Sequence, residues 1–305
     1  MTTNCSMLVF AYHEVGYRCL ELLLERKEQI LAVFTHEDAA GERIWFRPVA
    51  ELARAHGIPV YTPSSIKGPV VEQIRALAPD IIFSFYYRYM IPGDVLRIPR
   101  LGAFNMHGSL LPRYRGRVPI NWAIIHGETE TGATLHHMVR RADAGDIVDQ
   151  QAVAIGREDT AQDVFFKVTE AAVQVLDRNL AALKTGRAPR HAQDEAQATT
   201  FGGRRPEDGR IDWSWSSQRI FDFVRALTEP YPGAFTTTRG RTLLIWWGVP
   251  VERPAADQAQ AGAILSTRPL IVATGDGAFQ IGRAQWAHGR AVEGDEFVRF
   301  EVLGA

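Results

Sequence analysis

Cysteine is almost missing from this chain: Cys5 and Cys19 are the only two in 305 residues. Two thiols cannot build a disulfide framework, so the expected compartment is a reducing one, the cytoplasm. Long apolar runs are missing too. None approaches the roughly 18 residues of a membrane span, and the start, MTTNCSMLVFAY, lacks the positive n-region and long apolar core of a signal peptide. No membrane insertion is expected. Neither sign of charge is in excess, with 34 Lys plus Arg against 35 Asp plus Glu and a formal net charge of −1. Nucleic-acid binders usually carry a basic surplus, so no nucleic-acid partner is expected. The first turn, Ala11 to Gly16, holds one glycine and no G-x-G-x-x-G. A dinucleotide pyrophosphate could not approach that backbone closely, which argues against an NAD-dependent oxidoreductase.

What is present is ordinary for a globular enzyme, with 46% hydrophobic and 23% charged residues. The length implies two unequal domains. Met7 to Tyr12, Ile30 to Thr35, Ile58 to Tyr61 and Ile81 to Phe85 have the length and apolar character of strands. Between them lie helical patterns around Cys19 to Leu24, Phe46 to His56 and Val70 to Leu77. Strands alternating with helix-length segments imply a parallel sheet covered on both faces. Thr160 to Lys184 is the clearest helix. Thr160 and Asp163 form a near capping box, and Phe165, Val168, Ala172, Val175, Leu176, Leu180 and Leu183 make one core stripe.

After Arg187 the texture changes. Residues 187–210 are polar, then come short β-like runs at Ala234 to Thr238, Thr242 to Trp246, Ile264 to Leu265, Leu270 to Ala273 and Phe279 to Ala284. Residues 252–261 suit an exposed loop. The expected fold class is α/β: a Rossmann-like, mostly parallel sheet domain over 1–204 and a small OB-like β-barrel domain over 205–305.

Two stretches carry chemistry. Ala103 to Pro112, AFNMHGSLLP, begins as a strand, so Asn105 and His107 share a face and Gly108 and Pro112 end the run. Ligands gather beyond the carboxyl ends of strands in such sheets. There an Asn amide can donate to a developing oxyanion and an imidazole can move a proton. The second stretch, Val139 to Val148, holds Asp143 and Asp146 around Gly145 in a turn. A carboxylate beside an imidazole orients it and favours its protonated form. No metal is expected, because the adjacent His136 and His137 point to opposite faces of a strand.

Together, Asn105-Met-His107, Ser109-Leu-Leu-Pro112 and Asp143-Ala-Gly-Asp146 resemble the formyltetrahydrofolate-dependent formyltransferases. The likeness runs over essentially the whole chain. VFAYHEVG, IFSFYYRYMI, the stretches at 102–122 and 126–148, DW at 212–213 and PYPGAF at 230–235 are most similar to the branch acting on UDP-4-amino-4-deoxy-L-arabinose. That resemblance implies 10-formyltetrahydrofolate as formyl donor and a nucleotide-linked amino sugar as acceptor, in lipid A modification. It also implies that His107 is the general acid-base residue, that Asn105 binds the formyl oxygen and that Asp143 orients His107. Tyr89, Met90, Ile91, Val139, Arg140, Arg141 and Ala142 match the walls of the folate pocket, and Arg117 a residue near it. Arg113, Arg115, Arg117, Arg204 and Arg205 are few and scattered, which suits a diphosphate acceptor better than a nucleic-acid backbone. The Phe-Gly-Gly-Arg-Arg run at 201–205 displaces the family's paired arginines by one position. The branch is often fused to a dehydrogenase-decarboxylase, and that activity is expected on another chain. The alternatives are a methionyl-tRNA formyltransferase, a formyltransferase for another nucleotide-linked amino sugar, and a non-catalytic binding module.

Overall fold

The computed structural model describes residues 5–38, 41, 43–252, 259–287, 289, 291–292, 296–297 and 301–304. The first four residues and most of the expected loop at 252–261 lie outside the described residues.

In chain order the elements begin with β1 (Ser6–Ala11), α1 (His13–Glu25), β2 (Gln29–Phe34), α2 (Val49–Ala55), β3 (Val60–Tyr61), α3 (Pro69–Leu77) and β4 (Ile81–Phe85). Next come α4 (Gly93–Leu96), β5 (Gly102–His107), β6 (Arg115–Gly116), α5 (Pro119–Ile125), β7 (Glu130–His137) and β8 (Ile147–Ala154). The remainder is α6 (Ala161–Lys184), β9 (Thr200–Phe201), α7 (Ser217–Leu227), β10 (Ala234–Thr238), β11 (Arg241–Val251), β12 (Ile264–Thr267), β13 (Leu270–Ala273) and β14 (Ala278–Trp286). The chain divides into two compact units. One holds Met1–Pro119, Glu130–Ala154 and Phe165–Gly202, and the other Ile120–Thr129, Ile155–Val164 and Gly203–Ala305.

The first unit is built on a seven-stranded sheet in the order β3-β2-β1-β4-β5-β7-β8. Strands β1 to β5 run parallel, as the strand-helix alternation requires. β7 and β8 do not. β7 is antiparallel to β5 and β8 antiparallel to β7. The connection from His137 to Ile147 carries no helix, and without a crossover a neighbouring strand must return antiparallel. Leu8, Phe10, Phe34 and Ile82 pack one core with Ile74 and Val95, and Phe10 stacks on Phe34 at 5.0 Å. The expected stripe of α6 is buried from Phe165 to Leu183. The helix start has the reciprocal pattern of a capping box: Asp163 N–H donates to Thr160 Oγ1 (3.3 Å) and Thr160 N–H to Asp163 Oδ2 (2.9 Å).

The second unit has a five-stranded antiparallel sheet, β10-β11-β14-β13-β12. The segment Glu301–Gly304 bonds to Ile264 and Gly262 on one side and to Thr237 of β10 on the other, bridging the two edges of the sheet. Helix α7 is not among the expected elements. Ser216 caps it by accepting from Arg219 N–H (3.2 Å), and Ile220, Phe223, Val224 and Leu227 are buried at helical spacing.

Candidate active site

Strands β5 and β7 carry the site. Their antiparallel register sets Asn105 opposite His136 and His107 opposite Thr134, all four on one face. The chain then turns back so that Asp143 joins that face. Two glycines allow this turn. A Cβ on Gly145 would overlap the His137 carbonyl oxygen, and one on Gly116 (φ 99°) would overlap that of Phe201. Gly116 N–H donates to Asp143 Oδ2 at 2.9 Å. Asp143 itself sits at φ 53°, a left-handed conformation that Asp and Asn tolerate better than other side chains. Gln193 Nε2 pins the turn by donating to the carbonyls of Asp143 (2.9 Å) and Gly145 (2.7 Å).

Asn105, His107 and Asp143, separated by up to 38 residues, meet at one point. Asp143 Oδ1 lies 3.6 Å from His107 Nδ1 and 3.6 Å from His136 Nε2. Asn105 Nδ2 is 3.1 Å from His136 Nε2 and 3.5 Å from Asp143 Oδ1. The Tyr114 carbonyl, 2.8 Å from His107 Nε2, accepts a hydrogen bond from that nitrogen and leaves Nδ1 facing the carboxylate. His136 Nδ1 is 2.9 Å from the His137 carbonyl and donates to it, so Nε2 accepts from Asn105. His107 and His136 are buried. His137 points to the other face, toward the Pro189 carbonyl (3.1 Å).

Burial pushes the Asp143 carboxyl upward, but the charge of His107 beside it overrides this, together with the hydrogen bond from the Gly116 N–H. The result lies well below the usual carboxylate range. Asp143 is therefore ionised at every physiological pH. Held between the Asp143 carboxylate and the Tyr114 carbonyl, the His107 ring has one orientation, in which a proton on Nδ1 would face the carboxylate. The cluster can hold that proton next to a reacting group and release it, while an amide donor stands beside it to polarise a carbonyl.

The remaining expected residues divide. Tyr89, Met90 and Val139 present apolar side chains to solvent, at 43%, 63% and 45% exposure. Ile91 does not: it packs in the core with Leu8 and Phe10. Arg117, Arg140, Arg141 and Ala142 are exposed, and Arg141 pairs with Glu195 at 2.9 Å. Arg115 is a correction. It is 1% exposed and forks onto Glu195 (3.0 and 2.7 Å) while also donating to Gln193 (2.7 Å). It supports the Asp143 turn through Gln193 and is not free for a diphosphate. Sequence reasoning missed His136 and Gln193. The first could be found only from the β5–β7 register, and nothing local marks the second.

A Rossmann-like sheet with an Asn-His-Asp cluster at β5, followed by a separate antiparallel sheet, defines a two-unit α/β protein with an acid-base site. The formyl transferase profile matches residues 11–180 and the formyl transferase C-terminal domain profile residues 204–301. The chain belongs to the formyl transferase family. Among solved structures, an N-formyltransferase from Helicobacter canadensis, in complex with folinic acid and dTDP-3-aminofucose, is similar at 20% identity and TM-score 0.73. The match covers 93% of this chain and 100% of that one. HypX from Aquifex aeolicus, in complex with tetrahydrofolic acid, matches at 20% identity and TM-score 0.65, over 96% of this chain and 47% of that one. The chain thus spans about half the length of HypX. A sugar N-formyltransferase from a Shewanella species matches at 18% identity and TM-score 0.64, over 80% and 97% of the two chains. At these identities the likeness is one of fold.

Proposed function

We propose that this chain moves a formyl group from 10-formyltetrahydrofolate to the amine of a nucleotide-linked amino sugar. The observation that carries this reading is the approach of His107 Nδ1 and Asn105 Nδ2 to one ionised carboxylate, Asp143, in a chain that matches both formyl transferase profiles. The folate donor is supported by the exposure of the large side chains of Tyr89, Met90 and Val139, residue types that suit a flat heteroaromatic ligand. It is supported also by the folates bound to the Helicobacter and Aquifex proteins. The acceptor class is supported by the dTDP-3-aminofucose bound to the Helicobacter enzyme. Within that class, the sequence resemblance favours UDP-4-amino-4-deoxy-L-arabinose.

The roles follow from the geometry. An uncharged amine attacks the formyl carbon and charge gathers on its oxygen. The 3.5 Å contact of Asn105 with Asp143 is at the limit of hydrogen bonding. The Asn105 N–H making it is therefore the one free to turn to the oxyanion, an effect worth about 3–4 kcal/mol. His107, whose Nδ1 faces Asp143, adds a second donor in its protonated form and then gives that proton to the departing folate nitrogen. Asp143 helps the incoming amine shed its own proton. His136 holds the Asn105 amide in register.

The test offers 10-formyltetrahydrofolate with UDP-4-amino-4-deoxy-L-arabinose, a dTDP-linked amino sugar and initiator methionyl-tRNA at matched salt. Formylated product is followed by mass spectrometry. The highest kcat/KM is expected for the UDP sugar. A preference for the dTDP sugar would overturn the sugar assignment alone, and a preference for the tRNA would overturn the acceptor class.

A further inference from the structure

A cleft of about 530 Å³ lies wholly within the second unit, between helix α7 and the segments 122–127 and 204–208. That volume suits a mononucleotide-sized ligand. Its walls are rings and guanidinium groups. Arg204 lies over the Trp122 ring at 4.7 Å and over Phe223 at 5.3 Å, and Arg219 lies over Trp215 at 4.1 Å. Trp122 stacks with His126 at 5.6 Å, and Trp215 meets Phe223 edge-on at 5.2 Å.

The charges in the cleft are unevenly committed. Its two acids are engaged: Asp222 is ion-paired with Arg225 at 2.7 Å, and Asp208 accepts from Arg205 N–H at 2.7 Å. Its two arginines are not. Arg219 makes no ion pair among the described residues, and the Arg204 Nε–H is buried without an acceptor, although Nη2 donates to the Asp208 carbonyl. Burial, with Arg219 adding to it against Glu128, holds the His126 imidazole below its usual range. Its ring therefore reaches the cleft neutral at physiological pH.

An arginine held flat on an indole keeps its N–H edge open to anions. Flat rings beside such an edge accept a base by stacking. We propose that this cleft binds a nucleoside diphosphate, with the phosphates on Arg204 and Arg219 and the base against Trp122, His126 and Trp215. Two sources share that chemistry, the nucleotide of a sugar acceptor and a free nucleotide.

The test is calorimetric titration of the full chain with UDP, with uridine and inorganic pyrophosphate as partial probes. One-to-one binding of UDP is expected, tighter than either partial probe. Arg219→Ala and Arg204→Gln should each weaken it about tenfold or more. Trp215→Ala should weaken uridine by about fivefold or more. Arg219 is exposed on α7, so its variant stays folded even if the loss of Arg204 from its sandwich proves destabilising in a thermal melt. Absence of UDP binding at millimolar concentration would overturn the proposal. So would binding that both arginine variants leave within twofold of the parent. A second arm separates the sources: a raised KM for the nucleotide-linked sugar in Arg219→Ala marks the acceptor's own nucleotide, and an unchanged KM with lost UDP binding marks a free one. The binding measurement stands whether or not formyl transfer is found.

Discussion

Replacing Asp143 by asparagine removes one charge and little else. Asparagine fits the same left-handed backbone at φ 53°, and its oxygen can still accept from Gly116 N–H. What disappears is the field at His107 Nδ1, 3.6 Å away, in a pair whose side chains are 8% and 13% exposed. At an effective dielectric of about 20, unit charges at that separation attract by about 4–5 kcal/mol. Desolvation of the pair offsets part of this. A loss of about 3–5 kcal/mol in stabilising the imidazolium slows turnover about a hundred- to several-thousandfold, each 1.36 kcal/mol being tenfold. The assay is single-turnover formyl transfer with both substrates saturating, read by mass spectrometry of the acceptor. A thermal melt checks that the variant is folded. Turnover within tenfold of the parent would refute the argument that the charge of Asp143 holds His107 ready to donate.

Four further outcomes follow from the same geometry. His136→Phe keeps the volume but removes the acceptor of Asn105, so kcat should fall about ten- to hundredfold with both KM values little changed; steady-state kinetics that move KM alone would contradict a positioning role. The folded Asp143 carboxyl is depressed, so its contribution to stability is whole above the unfolded carboxylate range near about 4 and fades as pH falls through the lower folded value. Urea unfolding of the parent and of Asp143→Asn should therefore differ most near about pH 5, and the two should converge as pH falls further into acid. Arg115→Ala strips the fork from Glu195 and Gln193 and leaves a gap, and denaturant unfolding should show a loss of about 2–4 kcal/mol; under about 1 kcal/mol would mean the fork does not brace the turn. Burial pushes the Cys5 thiol up to about 11 and Cys19 higher still, so neither should react with a disulfide reagent at pH 8 until the chain is unfolded.

Much of the architecture was legible because it is local. Ile81 to Phe85 is an unbroken apolar run and is a strand buried at every position. Thr160 and Asp163 announce a helix start, and the reciprocal hydrogen bonds are there. Helix α7 was equally legible in principle, from Ser216 and the spacing of Ile220, Phe223 and Leu227. It was overlooked because Pro, Gly and β-branched residues crowd the segments around it. The burial of Ile91 and Arg115 was not legible, for another reason. Each stands beside motif residues, but whether a side chain there faces a ligand or the interior depends on packing from distant segments. Leu8 and Phe10 draw Ile91 inward, and Glu195 and Gln193 claim Arg115 from about 80 positions away.

His136 is the residue whose position in sequence misleads most. Beside His137 it invites a search for a metal, and the alternation of a strand rightly rejects that pair as a chelate. The same alternation says that one of the two must share a face with the neighbouring strand, yet it cannot say which strand, or in what direction. If β7 ran parallel to β5, as the alternation further upstream would suggest, a different set of side chains would stand opposite Asn105. The antiparallel return puts His136 there, and the turn that follows β7, pinned by Gln193 and the Gly116 N–H, brings Asp143 back to His107. The direction of β7 therefore delivers the histidine that holds the amide, and the turn after it delivers the carboxylate that faces the imidazole. The Asn-x-His spacing is the half of the site written within one strand. The other half is written in how two strands meet.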